Sequence, residues 1–343
     1  MKKMLALVLA TTMVATMIGC GSAKTEEAAA PAADTTATTT EAAEAPATDA
    51  GKTYNVGICQ LVQHPALDAA TQGFEEALQA ELGDAVKFDA QDASGESANC
   101  ATIINGFVSS NVDLIMTNAT PPLQAAASAT NTIPVLGTSV TDYATALEIS
   151  DWTGVVGNNI SGTSDLAPLD QQAAMLNELF PDAKNVGLLY CSAEPNSVYQ
   201  CTEIAKYLEG YGYTVTWYAF TDTNDVSSVA QTAADASDVM YIPTDNTAAA
   251  NTEAIANVVI PAGVPVIAGE EGICAGCGVA TLSISYYDLG YATGLMAARI
   301  LRDGEDVSKM PVEYAPNVTK EYNAANCDAL GIKVPDGYTA IAE

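Results

Sequence analysis

The sequence has little positive charge and almost no histidine. It holds 12 Lys and Arg against 42 Asp and Glu, which gives a formal net charge of −30 at pH 7. Phosphate backbones and anionic lipid head groups repel such a chain, so we expect no nucleic-acid partner and no adsorption to membranes through a basic face. One histidine leaves little room for a histidine-based zinc site or a catalytic triad.

Motifs of several enzyme classes are also missing. The sequence contains no Walker phosphate loop, no G-x-S-x-G nucleophile elbow, and no G-x-G-x-x-G after its first predicted strand. Its eight cysteines are far fewer than a disulfide scaffold uses. We therefore expect no catalysis and no cofactor.

One cysteine pair has a spacing that can carry chemistry. Cys274 and Cys277 form a CxxC motif, which is used in redox sites and as half of a zinc site. A second CxxC is missing and the histidine lies far away in the sequence. We predict no metal site, and we interpret the segment as a loop with free thiols or a local disulfide. Cys191 and Cys201 could also pair, and the sequence leaves this open.

The N-terminus has the pattern of an export signal. Lys2 and Lys3 precede an uncharged apolar run over 4–18, which is short for a membrane span and suits a signal-peptide core. The following MIGCGS around Cys20 resembles a bacterial lipobox. We predict a lipoprotein signal peptide over 1–19 and lipidation of Cys20, which would anchor the protein to the cell membrane. An ordinary secretory signal is the alternative.

A tether follows the predicted anchor. Residues 21–52 are rich in Ala and Thr and contain no Ile, Leu, Val or aromatic residue. Such a segment cannot bury enough apolar surface to offset its chain entropy. We predict a disordered, lipid-anchored tether over 20–52 and a folded part that begins near residue 53.

From residue 53 onward, apolar runs of strand length alternate with apolar residues at helical spacing. The first series of predicted strands and helices is 54–59, 65–82, 85–90, 100–110, 112–116, 122–129 and 133–136. The second series is 165–180, 186–190, 197–211, 214–219, 226–236, 239–242, 247–259 and 265–268, with a last helix over 286–303. This alternation predicts an α/β fold with two doubly wound parallel-sheet lobes.

The two series predict two lobes that are joined by a hinge and separated by a cleft. We assign residues 53–150 and about 270–308 to lobe 1, and residues from about 153 to 268 to lobe 2. Residues 309–343 form a C-terminal segment that the pattern assigns to neither lobe. Asp165 is expected to cap the helix predicted over 165–180.

Four motifs are spread in order along the chain. They are VGICQLVQHPALDAATQGFEEAL from residue 56, EPNSVYQ at 194–200, PTDNT at 243–247, and the run from AGEEG at 268–272 to YYDLGYATGLMAARIL at 286–301. Together they resemble type I solute-binding proteins of bacterial ABC transporters, in a subfamily that includes tryptophan- and tyrosine-binding receptors. The resemblance covers roughly residues 53–310. It implies a small-molecule ligand in the cleft, with a membrane permease and an ATPase as partners.

The candidate ligand-binding residues follow the predicted strands. Ligands of open parallel sheets bind beyond the carboxyl ends of the strands. The polar candidates there are Gln60, His64, Thr120, Thr138, Ser139, Asn196, Ser197, Thr244, Asp245, Asn246 and Glu270. Short polar residues at helix starts are also ordinary N-caps, so capping is the alternative for each, above all for Ser197 and Asn246.

The resemblance implies roles for some of these residues. In amino-acid receptors of this class, hydroxyls of the first lobe commonly meet the ligand carboxylate, and the matching positions are Thr120 and Thr138 or Ser139. An acidic residue of the second lobe commonly meets the ligand ammonium. Asp245 matches that residue, and capping is its alternative.

The remaining candidates have weaker support. His64 follows the first strand and is a candidate ligand contact, with a filling role as the alternative. The adjacent pair Glu270 and Glu271 suggests acid–base catalysis. Adjacent residues at a strand end point in different directions, however, so we interpret Glu270 as a residue that lines the cleft. Candidates for an apolar wall are Tyr143, Trp152 and Tyr286.

We therefore expect a lipid-anchored, extracytoplasmic and monomeric binding component of an ABC importer, with an aromatic L-amino acid as its ligand. Two alternatives stay open. One is an extracellular enzyme that uses cleft carboxylates such as Asp245 and Glu270 on a small sugar or ester, although no nucleophile–base pair is visible. The other is a sensory ligand-binding domain without transport.

Overall fold

Two β-sheets organise the part of the chain that the computed structural model describes, residues 52–315 and 317–342. The predicted signal peptide, the predicted lipidation site Cys20 and the tether up to residue 51 lie outside the described residues. Among the described helices, none is both long enough and apolar enough to cross a membrane.

The strands carry the labels β1 to β13. They are Tyr54–Gln60 (β1), Val86–Asp92 (β2), Leu114–Asn118 (β3), Val135–Val140 (β4), Ile160–Ser164 (β5), Asn185–Cys191 (β6), Thr214–Phe220 (β7), Val239–Ile242 (β8), Val266–Ala268 (β9), Ala280–Ser283 (β10), Glu313–Tyr314 (β11), Thr319–Tyr322 (β12) and Thr339–Ala340 (β13).

The α-helices carry the labels α1 to α12. They are Pro65–Leu82 (α1), Ser97–Ser110 (α2), Thr120–Ala129 (α3), Tyr143–Ala146 (α4), Leu169–Leu179 (α5), Pro195–Gly210 (α6), Val226–Ala234 (α7), Asn246–Ala249 (α8), Thr252–Ala262 (α9), Glu271–Cys277 (α10), Tyr286–Asp303 (α11) and Ala324–Leu330 (α12). Short 3₁₀ helices cover Gly83–Ala85 and Val307–Lys309.

Each sheet forms one lobe. The sheet of lobe 1 has the order β11-β5-β4-β3-β1-β2, and all its strands are parallel. The sheet of lobe 2 has the order β13-β12-β10-β9-β8-β6-β7, in which only the β10–β12 pair is antiparallel. Two largely parallel sheets covered by helices confirm the predicted fold class.

The lobe boundaries differ from those expected. β5 belongs to the sheet of lobe 1, so lobe 1 extends to residue 164 and does not end at 150. α10 packs on β9 and β10 in lobe 2, so residues 270–283 leave lobe 1. The C-terminal segment is divided, with β11 in lobe 1 and β12, α12 and β13 in lobe 2.

Strand β5, which the sequence pattern does not predict, contains no run of apolar residues because its buried side chains make polar contacts. Its sequence is ISGTS and every residue is buried. The Ser161 hydroxyl donates to the Met310 carbonyl at 3.0 Å, and the Ser164 hydroxyl donates to the Thr141 carbonyl at 2.8 Å. The chain then leaves lobe 1 in an extended segment, and α5 begins only at Leu169. The predicted N-cap role of Asp165 is therefore wrong.

Each sheet buries an apolar cluster on both faces. In β3, Ile115 packs on one face, while Leu114 and Met116 pack on the other. In β8, Met240 and Tyr241 divide in the same way. Alternate side chains of a strand point to opposite faces, so helices on both sides are needed to cover a sheet of this kind.

The helices α1 and α11 hold the hinge side of lobe 1 together. A Cβ atom at Gly290 would collide with the Ala70 carbonyl, and one at Gly73 would collide with the Tyr287 carbonyl. The two helix backbones therefore touch through their glycines. Both helices begin at the interlobe cleft, α1 directly after His64 and α11 at Tyr286.

Candidate functional site

The carboxyl ends of the two sheets face each other, and the lobes touch directly. His64 Nε2 lies 3.2 Å from Asn246 Oδ1 across the cleft. The Thr141 and Thr244 hydroxyls are 3.4 Å apart, and Gln200 Nε2 donates to the Thr141 hydroxyl at 3.3 Å. These contacts join lobe 1 to lobe 2, so the lobes are closed.

A small cavity lies between the lobes at this point. Its volume is about 10 Å³, close to the minimum space that one water molecule needs. The side chains that line it are His64, Leu67, Ser139, Asp165, Asn196, Thr244, Asp245, Asn246, Ala249, Glu270 and Tyr286. Most of the residues predicted from the sequence are thus brought together, and Asp165 is the polar residue that sequence reasoning did not place there.

Two larger cavities flank the small one. A cavity of about 440 Å³ shares Glu270 and Tyr286 with it, and one of about 330 Å³ shares Asn246. The small cavity is therefore a narrow point between two larger spaces that share lining residues with it. A ligand of amino-acid size needs more space than the narrow point offers, so its entry requires the lobes to separate.

Four predicted residues do not line the small cavity. Gln60 braces the start of α1, since its Nε2 donates to Asp68 Oδ1 at 2.6 Å. Thr138 accepts from the Thr163 hydroxyl at 3.2 Å inside lobe 1. Thr120 and Ser197 are buried in the first turns of α3 and α6. Of the predicted wall residues, Tyr143 and Trp152 pack in the core of lobe 1, and only Tyr286 reaches the cavity.

Glu194 organises the lobe 2 side of the site. One of its oxygens accepts from the backbone N–H and the Nδ2 of Asn246, at 3.0 and 2.7 Å. Its other oxygen accepts from the backbone N–H and the hydroxyl of Thr247, both at 2.8 Å. Asn196 Nδ2 adds a bond at 3.2 Å. The carboxylate is buried but fully hydrogen-bonded, which offsets its desolvation.

Asp245 and Glu270 serve as helix caps. The Asp245 carboxylate accepts from the backbone N–H of Ala248 at 2.8 Å and of Cys191 at 2.6 Å. Glu270 accepts from the N–H groups of Gly272 and Ile273 at the start of α10. Burial raises the pKa of Glu270 to about 7. Burial, together with the neighbouring Glu194, also raises the pKa of Asp245 above its usual range.

Asp165 differs from these carboxylates. It lies in the segment that crosses between the lobes and is 4% exposed. Its Oδ2 accepts from the Tyr286 hydroxyl at 2.8 Å, whereas its Oδ1 has no partner among the described residues. Burial raises the pKa of Asp165, although the hydroxyls of Tyr286 and Thr141 act in the opposite direction.

Unpartnered buried atoms are concentrated at the small cavity. Four side chains that line it each have one such atom within the described structure, namely His64 Nδ1, Ser139 Oγ, Asp165 Oδ1 and Asn196 Oδ1. A buried polar atom without a partner costs about 1–3 kcal/mol. Four such atoms around one cavity make it a place where a single hydrogen-bonding group could satisfy several side chains at once.

Within the described residues, three ionisable side chains at the cavity pair with amide or backbone groups. The His64 ring pairs with an amide and not with a nucleophile, and the Asp245 and Glu270 carboxylates bind backbone N–H groups. Within the described ranges, no group of three or more His, Cys, Asp or Glu residues could hold a metal ion.

The seven cysteines within residues 52–342 are free and buried. Cys274 and Cys277 lie in helix α10 and not in a loop, and burial raises the pKa of both thiols. Redox-active CxxC thiols have a lowered pKa, so this pair does not have their character. Cys191 and Cys201 are likewise free and buried.

Comparisons with known proteins identify the family. The model of the family described as "ABC transporter substrate binding protein" matches residues 55–343. A curated relative, the tyrosine-binding protein of Clostridioides difficile (strain R20291), is 35% identical over 268 residues, which is 77% of each chain.

Two solved structures add conformational information. A crystal structure described as the ABC domain in complex with L-Trp from Streptococcus pneumoniae aligns with a TM-score of 0.80 at 31% identity, over 84% of this chain and all of that one. The ligand-free, open structure of a Clostridium difficile substrate-binding protein with adhesive properties aligns with a TM-score of 0.65 at 35% identity, over 84% and 99%.

The ligand-bound relative thus fits better in shape although it is less similar in sequence. This agrees with the direct contacts between the two lobes. The two-lobed α/β fold, the cleft between the carboxyl ends of the sheets, and the family match over nearly all of the described residues lead to one conclusion. The chain belongs to the ABC transporter substrate-binding protein family and has the type I periplasmic-binding-protein fold.

Proposed function

We propose that the protein captures an L-amino acid with an aromatic side chain in the interlobe cleft and delivers it to an ABC permease for import. The observation that carries the proposal is the group of unpartnered atoms from both lobes at one cavity: His64 Nδ1, Ser139 Oγ, Asp165 Oδ1 and Asn196 Oδ1. The names of the tyrosine-binding relative and of the L-Trp complex support the ligand class.

The proposed mechanism is lobe closure. The ligand enters an open cleft, bonds to groups of both lobes, and thereby stabilises the closed form through its differential affinity for that form. The contacts from His64 to Asn246 and from Thr141 to Thr244 then add to the closed state. The closed, loaded protein docks on its permease. No step in this cycle makes or breaks a covalent bond, so the protein acts as a binding component and not as an enzyme.

Isothermal titration calorimetry tests the ligand class. The purified protein is titrated with L-tyrosine, L-tryptophan, L-phenylalanine, L-leucine and D-glucose. We expect an aromatic amino acid to bind with micromolar or tighter affinity, about −8 kcal/mol or better. Saturable binding of glucose, with no binding of any amino acid, would contradict the proposal.

The location is proposed from the N-terminal sequence and the family. Such a role fits a signal peptide over 1–19 and lipidation at Cys20. It also fits a monomeric, extracytoplasmic protein whose partners are a permease and an ATPase. Cys20→Ser should release the protein from the membrane fraction into the medium or periplasm, as fractionation and immunoblotting would show. Membrane retention of this variant with a cleaved signal peptide would exclude the lipid anchor.

A further inference from the structure

The unpartnered atoms at the small cavity are mostly hydrogen-bond acceptors, and this restricts the chemistry of the group that binds there. The orientation of each side chain follows from its neighbours. Asn196 Nδ2 donates to the Thr244 carbonyl at 3.0 Å and to Glu194 at 3.2 Å. The amide nitrogen is thus placed among acceptors, and the unpartnered Oδ1 is an acceptor itself.

The protonation of His64 follows from the same network. Asn246 Nδ2 donates to Glu194 at 2.7 Å, which fixes the amide so that its Oδ1 faces His64 Nε2. An amide oxygen only accepts, so Nε2 carries the hydrogen. Burial lowers the pKa of His64, which keeps the ring neutral. The unpartnered Nδ1 is therefore an acceptor.

Asp165 supplies the charge. Glu194, Asp245 and Glu270 use both carboxylate oxygens on hydrogen-bond donors of the described chain. The Tyr286 hydroxyl donates to Asp165 Oδ2, and the Thr141 hydroxyl lies near enough to lower the pKa of Asp165. No donor of the described chain meets hydrogen-bond geometry at Oδ1, and the residue is 4% exposed. It is thus the carboxylate of the cavity that has an oxygen available for a ligand.

Three acceptors now share a cavity of about 10 Å³, one from lobe 1, one from the crossing segment and one from lobe 2. A primary ammonium is about the size of a water molecule and carries three N–H donors and one positive charge. A carboxylate brings only acceptors, so these three atoms would repel it. We propose that His64 Nδ1, Asp165 Oδ1 and Asn196 Oδ1 form an ammonium cradle for the α-amino group of the ligand.

This inference rests on the proposed function, and it names a different counter-charge from the Asp245 that the sequence suggested. It also has a mechanical meaning. Since Asp165 lies in a crossing segment, the ammonium binds at the hinge, and the two lobes add His64 and Asn196 as they close. Ser139, whose hydroxyl both donates and accepts, is outside the cradle and free for another ligand group.

The test compares Asp165→Asn with the matched variant Asp245→Asn by calorimetry and thermal shift. Three probes are used: the aromatic amino acid, its arylethylamine without the carboxylate, and its arylpropionic acid without the amine. Loss of a buried, hydrogen-bonded charge pair is large, so Asp165→Asn should bind the amino acid about thirtyfold more weakly or worse. Its affinity for the arylpropionic acid should stay within about threefold of wild type. Asp170→Asn, at an exposed position in the first turn of α5, should keep the amino-acid affinity to within about threefold. Asp245→Asn should lose less amino-acid affinity than Asp165→Asn.

Other outcomes would overturn the cradle. Wild-type amino-acid affinity in Asp165→Asn, with a large loss in Asp245→Asn, would assign the ammonium to Asp245. If wild type binds no amino acid, the proposed function fails, and the arylethylamine then decides the cradle alone. Stabilisation of wild type but not of Asp165→Asn by this amine would support it, and no stabilisation of wild type would overturn it.

A second variant covers a folding failure of Asp165→Asn, which far-UV circular dichroism would detect. His64→Phe keeps a flat ring and removes the Nδ1 acceptor. It should weaken the two amine-bearing probes about tenfold more than the arylpropionic acid. An equal loss for all three probes would show that His64 acts only through its contact with Asn246, and the cradle would be wrong.

Discussion

The two lobes present very different edges to the same cleft. On lobe 2, the carboxyl groups of Glu194 and Asp245 are buried and hydrogen-bonded to their own lobe. On lobe 1, His64 and Ser139 each keep an unpartnered atom, and Ser139 adopts a left-handed φ of 54°. Most polar groups on the lobe 2 edge are therefore held within their own lobe, and Asn196 Oδ1 is the unpartnered atom of that edge at the cavity, whereas lobe 1 has two side chains with an unpartnered atom there. A binding site needs both properties: side chains that are held firmly in place, and polar atoms that are available for hydrogen bonds to a ligand.

The largest effect is expected from breaking the lobe 2 network. Glu194→Gln replaces an oxygen that accepts from N–H donors by an NH₂ group, so donors face donors inside the lobe. We expect a loss of about 2–4 kcal/mol in the free energy of unfolding, measured by urea denaturation. Glu209→Gln, an exposed position on the same helix α6, is the control and should change stability by less than about 0.5 kcal/mol. A stability equal to wild type in Glu194→Gln would show that lobe 2 is not held by this carboxylate.

An intermediate effect is expected from pH, because burial strongly raises the pKa of two carboxyl groups of lobe 2, Asp245 and Glu270. The pKa of Asp245 is raised to about 8 and that of Glu270 to about 7, so the folded protein binds more protons than the unfolded chain between these values and the unfolded ones. The free energy of unfolding should therefore rise as pH falls from 8 to 5.5. His64, on lobe 1, has a lowered pKa and acts in the opposite direction below about pH 6.5. His64 therefore opposes the rise only in the lower part of this pH range.

The measurement is the melting temperature across this pH range, where we expect a rise of several degrees, at about 2–4 °C per kcal/mol. Glu270→Gln should show a shallower rise than wild type, which separates the buried carboxyl from the general relief of negative charge. The same slope in both proteins would mean that Glu270 does not contribute.

The smallest effect on stability is expected on lobe 1, from neighbouring hydroxyls with and without a partner. Thr138→Val removes the acceptor of the Thr163 hydroxyl and should cost about 1–2 kcal/mol in urea denaturation. Ser139→Ala removes a hydroxyl without a partner and should change stability by less than about 0.5 kcal/mol. A larger loss for Ser139→Ala than for Thr138→Val would reverse the description of this edge.

Much of this architecture could be predicted from the sequence because apolar runs determine it. β1, β3 and β8 are buried apolar strands, and the helical spacing over 65–82 matches α1. Polar or short elements were missed: β5 is ISGTS, and β10 is ATLS. Because β5 was invisible, the hinge was placed too early, and the boundary of lobe 1 with it.

The site was predictable where it follows a visible strand. His64 comes after β1 and Asp245 after β8. Both line the small cavity, as expected for residues just beyond the carboxyl ends of parallel strands. Asp165 follows the invisible β5, and the partner that orients it, Tyr286, is 121 residues away in the chain. Local sequence does not contain that pairing. Sequence also could not separate capping from ligand binding at Asp245, because both roles favour a short carboxylate at the same position.

The glycine contact between α1 and α11 has a consequence for how the ligand specificity of such a protein can change. His64 precedes α1 and Tyr286 opens α11, and the backbones of the two helices touch at Gly73 and Gly290. The cavity-lining residues His64 and Tyr286 are thus held at the N-terminal ends of two closely packed helices. Side chains at these helix ends can be substituted to suit a new ligand while the packing of the two helices stays unchanged. Adding a methyl group at Gly290, about one helical turn after Tyr286, would force α11 away from Ala70 of α1 and shift both cavity-lining ends together.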